Sequence, residues 1–365
     1  MKVSIVLGTR PEIIKMSPIV RELEKKGLEF FILHTGQHYS YNMDQVFFEQ
    51  LKLPQPRYNL EVGSGTHAEE TSKMMLGIER VLLEEKPDIV LVEGDTNTVL
   101  AGVLASVKIG LSVGHVEAGL RSFDRSMPEE INRIVADHIS HLLFAPTEEA
   151  KQNLLREGIE GEKIFVTGNT IVDAVYQNLT LANGGIGKNV LEDLGVVDGD
   201  YFLATVHRQE NVDNPRRFQG ILKGLKLVHE YFGMPIIYPI HPRSKKKMVE
   251  YGLDPTGVIL TEPLDYLSFL LLESRAKLVF TDSGGVQEEA CILKVPCVTL
   301  RDNTERPETL RVGANTLAGT EPQRILEKAK IMIDNGRSWP NPFGDGRAGE
   351  RIVDILVERF KQRLH

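Results

Sequence analysis

FTDSGGVQEEACILKVPCVTLRDNTERPE, residues 280–308, is typical of a buried strand, a glycine turn and the start of a helix. Ser283, Gly284 and Gly285 follow the apolar run and open the helix, where unpaired backbone N–H groups and the helix dipole favour an anion. Glu289 lies on the first turns of that helix and is a candidate acceptor for vicinal sugar hydroxyls. Arg306 follows the next strand and is a candidate phosphate ligand. The stretch therefore predicts a binding site for a nucleoside diphosphate.

A simpler alternative stays open for the same residues. Ser-Gly-Gly is also the composition of an ordinary tight turn between a strand and a helix, and Glu289 is then a solvated surface residue. The occurrence of Ser, two Gly, Glu and Arg within one stretch favours the binding site.

Length and composition indicate a two-domain globular protein. The chain has 365 residues, of which 41% are apolar and 26% charged, and its formal net charge is −8. Chains of this length usually exceed a single core, and the acidic balance argues against broad nucleic-acid binding. The longest apolar runs are too short to cross a bilayer, and the opening MKVSIVLGTRPE lacks the pattern of a signal peptide. We expect a cytoplasmic protein without a membrane partner.

Strand-like runs alternate with amphipathic helical segments along the whole chain. The first half has predicted strands at 3–7, 30–34, 89–93, 113–117 and 142–145, with helices at 12–26, 68–85, 98–108 and 147–156. The glycine-rich segment 181–188 is typical of a linker. The second half has predicted strands at 201–206, 235–238, 258–260, 278–281 and 296–300. This βαβ pattern predicts an α/β fold of two Rossmann-like domains facing a central cleft.

The expected domain bounds are 1–180 for the first domain and 189–346 for the second. Residues 347–365 include a predicted final helix, which we expect to return to the first domain. Ligands of such sheets bind beyond the carboxyl ends of the strands. Binding residues are therefore expected after the strands of each domain.

Polar side chains follow several predicted strands. Arg10 and Lys15 follow the first strand in GTRPEIIK, Asp95 follows the third and Glu117 the fourth, and the helix start MPEEINR carries Glu129 and Glu130. In the second half, His207 and Arg208 follow a strand in TVHRQEN. Carboxylates, a histidine and cations at one sheet edge suit acid–base catalysis on a substrate with an anionic leaving group. Taken singly, Glu93 and Asp95 are also plausible caps of the helix at 96–108, and Glu117 is a plausible partner for Arg121.

Other signals give no cofactor or metal site. GSGTHA at 63–68 matches the dinucleotide fingerprint in letters, but it does not follow the first strand, so NAD binding there is not expected. His138 and His141 have no nearby third ligand and are interpreted as surface histidines. Cys291 and Cys297 stand among apolar neighbours and are predicted to be buried free thiols.

Eight short motifs occur along the chain in this order: GTRPEIIK, EGDTNT, HVEAGLR, PEEINR, TVHRQEN, HPR, TDSGGVQEEA and RDNTERPE. In these motifs the chain resembles the non-hydrolysing UDP-N-acetylglucosamine 2-epimerases, which have the GT-B arrangement of two Rossmann-like domains. The match runs nearly from end to end. It implies reversible conversion of UDP-N-acetylglucosamine to UDP-N-acetylmannosamine by elimination and re-addition of UDP, without a cofactor. It also implies a homodimer and a role in polysaccharide biosynthesis.

The resemblance assigns roles to particular residues. Ser283, Gly284, Gly285, Glu289 and Arg306 would hold UDP, with Phe269 near the uracil and Arg10 and Lys15 near the diphosphate or sugar. The catalytic set would be Asp95, Glu117, Glu129 and His207. A site for a second substrate molecule, acting as activator, would involve Gln37, His38, Arg208 and His241.

Three alternatives remain at this point. A hydrolysing relative would release UDP and N-acetylmannosamine, although GTRPEIIK and ERPE favour the non-hydrolysing group. A GT-B glycosyltransferase would require an acceptor sugar. A non-catalytic UDP-sugar sensor would bind without turnover, and the acidic cluster argues against it.

Overall fold

The computed structural model describes residues 1–36, 41–185 and 190–363, and for residues 41–44 and 363 it describes the backbone alone. The chain forms two compact units. Unit 1 comprises Met1–Gln177 and Phe343–His365, and unit 2 comprises Asn178–Pro342.

Unit 1 is built on a parallel sheet. Its described strands are β1 Lys2–Leu7, β2 Glu29–His34, β3 Tyr58–Asn59, β4 Ile89–Glu93, β5 Ser112–Val116, β6 Leu142–Ala145 and β7 Ile164–Val166. They lie in the order β3-β2-β1-β4-β5-β6-β7. Its helices are α1 Arg10–Lys25, α2 Tyr41–Gln50, α3 His67–Glu85, α4 Asn97–Lys108, α5 Pro128–Ile139, α6 Glu148–Arg156 and α7 Thr170–Gly184. The strand order reverses between β1 and β4, and the loops that follow these two strands diverge there to form a binding crevice.

Unit 2 repeats the design with a second parallel sheet. Its described strands are β8 Phe202–Thr205, β9 Ile236–Pro239, β10 Ile259–Thr261, β11 Leu278–Thr281, β12 Cys297–Thr299 and β13 Asn315–Leu317, in the order β10-β9-β8-β11-β12-β13. Its helices are α8 Val190–Asp193, α9 Gln209–Val212, α10 Pro215–Phe232, α11 Pro242–Glu250, α12 Tyr266–Arg275, α13 Gly284–Ile292, α14 Pro307–Arg311 and α15 Pro322–Asp334. The order reverses between β8 and β11.

Local sequence accounts for these elements. Central strands such as β4 and β11 are buried along their whole length, which is why they are continuous apolar runs. Thr66 caps α3 and forms a capping box with Glu69, so the GSGTHA segment ends as a helix start. Asn214 caps α10, and Gly233 ends it in the left-handed conformation, at φ 64°.

The predicted α/β class with two Rossmann-like sheets is confirmed, and β4, β6 and β11 have the predicted bounds. Strands β7 and β13, of three residues each, were not predicted. The expected linker at 181–188 differs from the structure, since residues 181–184 form the last turn of α7 and Ala182 is buried. Residues 186–189 lie outside the described residues.

The chain returns to unit 1 through α16, Ala348–Arg363, which packs against α1. Asp173 on α7 is 3% exposed and accepts hydrogen bonds from the backbone N–H groups of Ala348 at 3.1 Å and Gly349 at 2.9 Å. A helix start has unpaired N–H groups, so this carboxylate caps α16 from another element.

Replacing Asp173 with Ala is expected to destabilise unit 1 by about 1–3 kcal/mol, because two buried N–H groups lose their acceptor. Denaturant unfolding and amide exchange of α16 measure the effect. The control is Asp354→Ala on α16, which removes an exposed ion pair with Lys26 and is expected to cost under about 0.5 kcal/mol. Equal costs for the two variants would contradict the capping role.

Candidate active site

Glu12 joins the loops that follow β1 and β4 in unit 1. Its carboxylate is 2% exposed and accepts hydrogen bonds from the backbone of Gly8 at 2.6 Å and Thr9 at 2.8 Å, and from the Thr96 hydroxyl at 2.5 Å. Burial raises the pKa of Glu12, and these hydrogen bonds oppose the shift. A Cβ at Gly8 would lie 2.1 Å from Thr35 Oγ1, so only glycine fits there. The start of α1 is thereby fixed beside β4.

Lys15 and Glu117 form the central ion pair of this crevice. Lys15 Nζ lies 2.7 and 2.8 Å from the two Glu117 carboxylate oxygens, and Asn169 Nδ2 donates to Glu117 Oε1 at 2.9 Å. Glu117 has φ 68°, a left-handed conformation that is unfavourable for a residue with a side chain. Such strain persists where surrounding contacts over-determine it, and functional sites are where it concentrates.

The alternative pairing of Glu117 with Arg121 is wrong. Arg121 binds Asp137 at 2.7 Å and Glu157 at 2.7 Å. Asp137 also contacts His115 Nδ1 at 2.7 Å. Burial alone would lower the pKa of His115, but the charge of Asp137, together with the hydrogen bonds to Asp137 and to the Gly94 carbonyl, raises that pKa. The buried side chains of Arg121, Asp137 and His115 thus support the loop that follows β5.

Asp95 lies after β4 and is half-buried, in an ion pair with Arg133. Arg133 also contacts Glu130 at 3.0 Å. The Glu130 carboxylate is buried and accepts two backbone hydrogen bonds, each 3.0 Å long, from the loop before α5. Glu129 is exposed on the same helix turn. Glu130 therefore holds the loop, Glu129 is exposed, and Asp95 is held by Arg133.

Arg10, another predicted residue of unit 1, is exposed on the first turn of α1. Its guanidinium lies 5.9 Å from the centre of the Phe47 ring. Gln37 and His38 lie outside the described residues.

Asp282 organises the crevice of unit 2. It is fully buried at the end of β11 and accepts hydrogen bonds from the backbone of His207 at 3.1 Å and Arg208 at 3.0 Å, and from Asn211 Nδ2 at 3.0 Å. The loop after β8 is thus fixed to the loop after β11. The His207 ring lies 3.3 Å from Asp282 and is about half exposed. Partial desolvation lowers the pKa of His207 despite that carboxylate, so its imidazole is neutral at neutral pH.

Ser283, Gly284 and Gly285 form the start of α13. Ser283 is the N-cap, with its hydroxyl 3.5 Å from the backbone nitrogen of Val286. A Cβ on Gly284 would lie 2.7 Å from Glu305 Oε1, whereas one on Gly285 would meet only Ser283 Oγ at 3.9 Å. A side chain at Gly284 would therefore displace the Glu305 carboxylate, whereas the space at Gly285 is free for a ligand.

Glu305 is bound by two arginines beside this helix start. Arg301 Nη1 lies 2.6 Å and Arg208 Nη2 lies 2.5 Å from its oxygens. Burial would raise the pKa of Glu305, but the Arg301 hydrogen bond and the Arg208 charge lower it to about 2. Arg208, a predicted activator residue, is thus held beside Gly284. His241, the other described one, caps α11 and is exposed.

Glu289 is 7% exposed, which excludes the alternative of a solvated surface residue. The Tyr266 hydroxyl donates to it at 3.0 Å, and burial raises its pKa to about 7. Arg306 pairs with Glu288 at 2.7 Å. Phe269 is half-buried on α12. Unit 2 thus places Glu289, Arg306 and the α13 start on neighbouring elements.

Glu273, also on α12, was not predicted. It is fully buried, and among the described residues neither of its oxygens has a hydrogen-bond partner. Burial, followed by the charge of Glu289, raises the pKa of Glu273 well above its ordinary value. A buried carboxyl without partners is destabilising, above all when ionised.

Sequence reasoning also missed Glu12 and Asp282. Thr9 and Glu12 have the spacing of a capping box, which was the available signal for Glu12. Asp282 stands directly before the Ser-Gly-Gly turn, but nothing in the letters indicates that its carboxylate faces the neighbouring strand. The two cysteines are free and buried as predicted, and burial raises the pKa of Cys291 to about 12.

In the described part of the chain, no group of three or more His, Cys, Asp or Glu side chains is arranged to hold a metal ion. No helix there is both long and apolar enough to span a membrane.

Replacing Glu273 with Met is expected to stabilise unit 2 by about 1–3 kcal/mol near pH 8, because an apolar side chain of similar length removes the unpaired carboxyl. The folded state binds the Glu273 proton more tightly than the unfolded state does. The contribution of Glu273 to the stability of the wild type therefore falls as the pH rises from the ordinary carboxyl pKa toward the raised one. The gain in stability on replacing Glu273 with Met should accordingly be smaller near pH 5 than near pH 8.

Denaturant unfolding at both pH values measures the Glu273 effect. The control is Glu327→Met on α15, where the same change at an exposed position should alter stability by less than about 0.5 kcal/mol at either pH. A loss of stability in Glu273→Met would contradict the assignment of an unpaired buried acid.

Comparison with known proteins identifies the family. A family model described as UDP-N-acetylglucosamine 2-epimerase matches residues 21–357. The UDP-N-acetylglucosamine 2-epimerase of Methanocaldococcus jannaschii is 59% identical over 362 residues, covering 98% of this chain and 99% of the relative. That of Methanococcus maripaludis is 54% identical over 367 residues, covering 99% of each.

The fold also matches that of a relative whose structure has been solved. A crystal structure of the M. jannaschii protein in complex with UDP-GlcNAc and UDP superposes with a TM-score of 0.86, covering 98% of this chain and 100% of that one. The resemblance inferred from the motifs is confirmed. This chain belongs to the UDP-N-acetylglucosamine 2-epimerase family.

Proposed function

We propose that this protein interconverts UDP-N-acetylglucosamine and UDP-N-acetylmannosamine without hydrolysis, by elimination and re-addition of UDP. The observation that carries the proposal is the helix start at Ser283–Gly285, which is open at Gly285 and offers backbone N–H groups to a leaving diphosphate. Its relative in M. jannaschii is solved with UDP-GlcNAc and UDP.

The chemistry of the sugar favours elimination. The proton on its second carbon is not acidic, because the acetamido nitrogen there gives a carbanion no adjacent carbonyl. When a base takes this proton as the bond from the first carbon to UDP breaks, the electron pair forms a carbon–carbon double bond instead. Proton return on the other face and re-addition of UDP give the manno epimer. Cations and backbone N–H groups at the diphosphate then stabilise the leaving group.

Unit 2 is assigned the nucleotide. Backbone N–H groups of Gly284 and Gly285 bind the diphosphate, and Arg306 is near enough to the same helix to assist. Glu289 accepts hydrogen bonds from the ribose hydroxyls, and Phe269 packs near the uracil.

Unit 1 is assigned the proton chemistry. Asp95, Glu117 and Glu129 are the carboxylates for proton transfer and for charge that develops on the ring, and Arg10 and Lys15 act on the diphosphate or sugar. His207, which lies in unit 2 and has a neutral imidazole, is the remaining residue to which the resemblance assigns a catalytic role. Activation by a second substrate molecule at Gln37, His38, Arg208 and His241 stays a prediction.

A cytoplasmic location stays a prediction of the sequence pattern, and a homodimeric state and a role in polysaccharide biosynthesis stay predictions of the family resemblance. The mass of the protein in solution, measured by light scattering, tests the dimer.

Gly285→Ala is expected to separate folding from nucleotide binding. The Cβ meets no protein atom within 3.8 Å, so helix stability should rise by about 0.4–1 kcal/mol. UDP affinity should fall ~10-fold or more, because the methyl group occupies the space through which a phosphate approaches the backbone. Calorimetric titration and thermal unfolding measure the two effects.

The matched control for Gly285→Ala is Gly184→Ala at the end of α7, where a Cβ also meets no atom within 4 Å. It should leave UDP affinity unchanged. Unaltered affinity in Gly285→Ala as well would place the diphosphate elsewhere.

Epimerisation in deuterated water is expected to place deuterium at the second sugar carbon of the product, since elimination breaks that carbon–hydrogen bond. Mass spectrometry and proton NMR detect the label. Asp95→Asn, Glu117→Gln and Glu129→Gln should each lower turnover ~10²-fold or more while UDP still binds. Glu148→Gln, at an exposed position on α6, is the control and should retain full turnover.

Each alternative has its own outcome in that experiment. Epimer without label would eliminate this route. Release of UDP with free N-acetylmannosamine would indicate the hydrolysing reaction, and UDP binding without any product would indicate a sensor.

A further inference from the structure

Glu93 is a buried carboxyl beside the Lys15–Glu117 pair, to which the proposed mechanism assigns no role. It is the last residue of β4 and is 2% exposed, and its Oε1 lies 3.4 Å from Lys15 Nζ. The same ammonium is closer to both oxygens of Glu117, at 2.7 and 2.8 Å. One cation therefore faces two carboxyl groups and directs its hydrogen bonds to Glu117.

The charged groups around Glu93 come from two elements. Helix α1 contributes Lys15 and Glu12, and the loop after β5 contributes Glu117. Glu12 is itself buried and bound to the loop backbone, so it offers Glu93 no compensation. If Glu93 were ionised, this interior would hold more negative than positive charge, which is costly at low exposure.

Glu93 lies beside Glu117, because both carboxyl groups contact the same Lys15 ammonium. Among the described residues, Glu93 Oε1 has no hydrogen-bond partner. Burial, and then the charge of Glu117, raise the pKa of Glu93 well above its ordinary value against the opposing effect of Lys15. Glu117 instead has Lys15 and Asn169 as donors, which favour its ionised form. These contacts favour a proton on Glu93 rather than on Glu117.

We propose that Glu93, as a neutral acid, is a positioning residue that donates a hydrogen bond to the Glu117 carboxylate and keeps it ionised and oriented for proton transfer. This deepens the proposed epimerase function and rests on it. Three donors, Lys15, Asn169 and Glu93, then surround a carboxylate whose backbone is strained at φ 68°. If Glu93 loses its proton at alkaline pH, it repels Glu117 and competes for Lys15, so Glu117 loses its orientation.

Two substitutions test the hydrogen bond. Glu93→Gln keeps a donor of the same length without a titratable proton, and Glu93→Leu removes the donor. We expect Glu93→Leu to lower kcat by about 10- to 100-fold with a nearly unchanged KM, as for the loss of one hydrogen bond to a charged group. Glu93→Gln should recover most of that loss and move the alkaline limb of the pH–rate profile to higher pH. An alkaline limb shared with the wild type, or equal loss in both variants, overturns the proposal.

Infrared spectroscopy tests the protonation state without turnover. The spectrum of the wild type minus that of Glu93→Gln at neutral pH should contain the carbonyl band of one protonated carboxyl. A carboxylate band in its place overturns the inference, even if the wild type epimerises its substrate. A protonated band in a wild type that forms no epimer would support the neutral state of Glu93 and refute the proposed function instead.

Discussion

Each crevice depends on one buried carboxylate that accepts hydrogen bonds from the backbone of a neighbouring loop. The strand order of each sheet reverses at one point, β1 to β4 in unit 1 and β8 to β11 in unit 2, and the loops there diverge and have no ladder to hold them. Glu12 binds the loop after β1 and the Thr96 hydroxyl after β4. Asp282 does the equivalent in unit 2, binding the loop after β8 from the end of β11. Several hydrogen bonds to a charged acceptor in a site of low dielectric make each connection strong and directional.

With the loops fixed, burial sets the charge of each carboxyl separately. Glu117 has cationic and amide donors, which favour its ionised form, whereas burial raises the pKa of its neighbour Glu93 well above the ordinary value. In unit 2, Glu305 lies between two arginines, and its pKa falls to about 2, whereas burial raises that of Glu289 to about 7. Groups of one chemical type thus differ in protonation at one pH. Such divergence is what allows acid and base roles in one site.

Much of this architecture was predictable from residue patterns, because parallel strands buried on both faces are apolar runs and their carboxyl ends carry the polar side chains. Lys15, Glu117 and Ser283–Gly285 were found in this way. Glu12, Glu93, Asp282 and Glu273 were not assigned roles, since their contacts are made with residues distant in sequence: Glu93 with Lys15, and Asp282 with His207. The glycines of 181–188 favour a linker, but residues 181–184 form the last turn of α7, in which Ala182 is buried. Local composition does not report tertiary burial.

The glycines of α13 distinguish what the fold requires from what a ligand requires. A Cβ on Gly284 would lie 2.7 Å from Glu305 Oε1, so the Glu305 carboxylate, which is held there by Arg301 and Arg208, would have to shift. Gly285 meets no such obstacle, and in a helix it costs about 0.5–1 kcal/mol relative to Ala. A residue that lowers stability without relieving a clash is explained by something that must approach the backbone from outside. The same reasoning applies to the strained φ of Glu117, since strain of this kind concentrates at functional sites and Glu117 lies in a loop that carries the proposed chemistry.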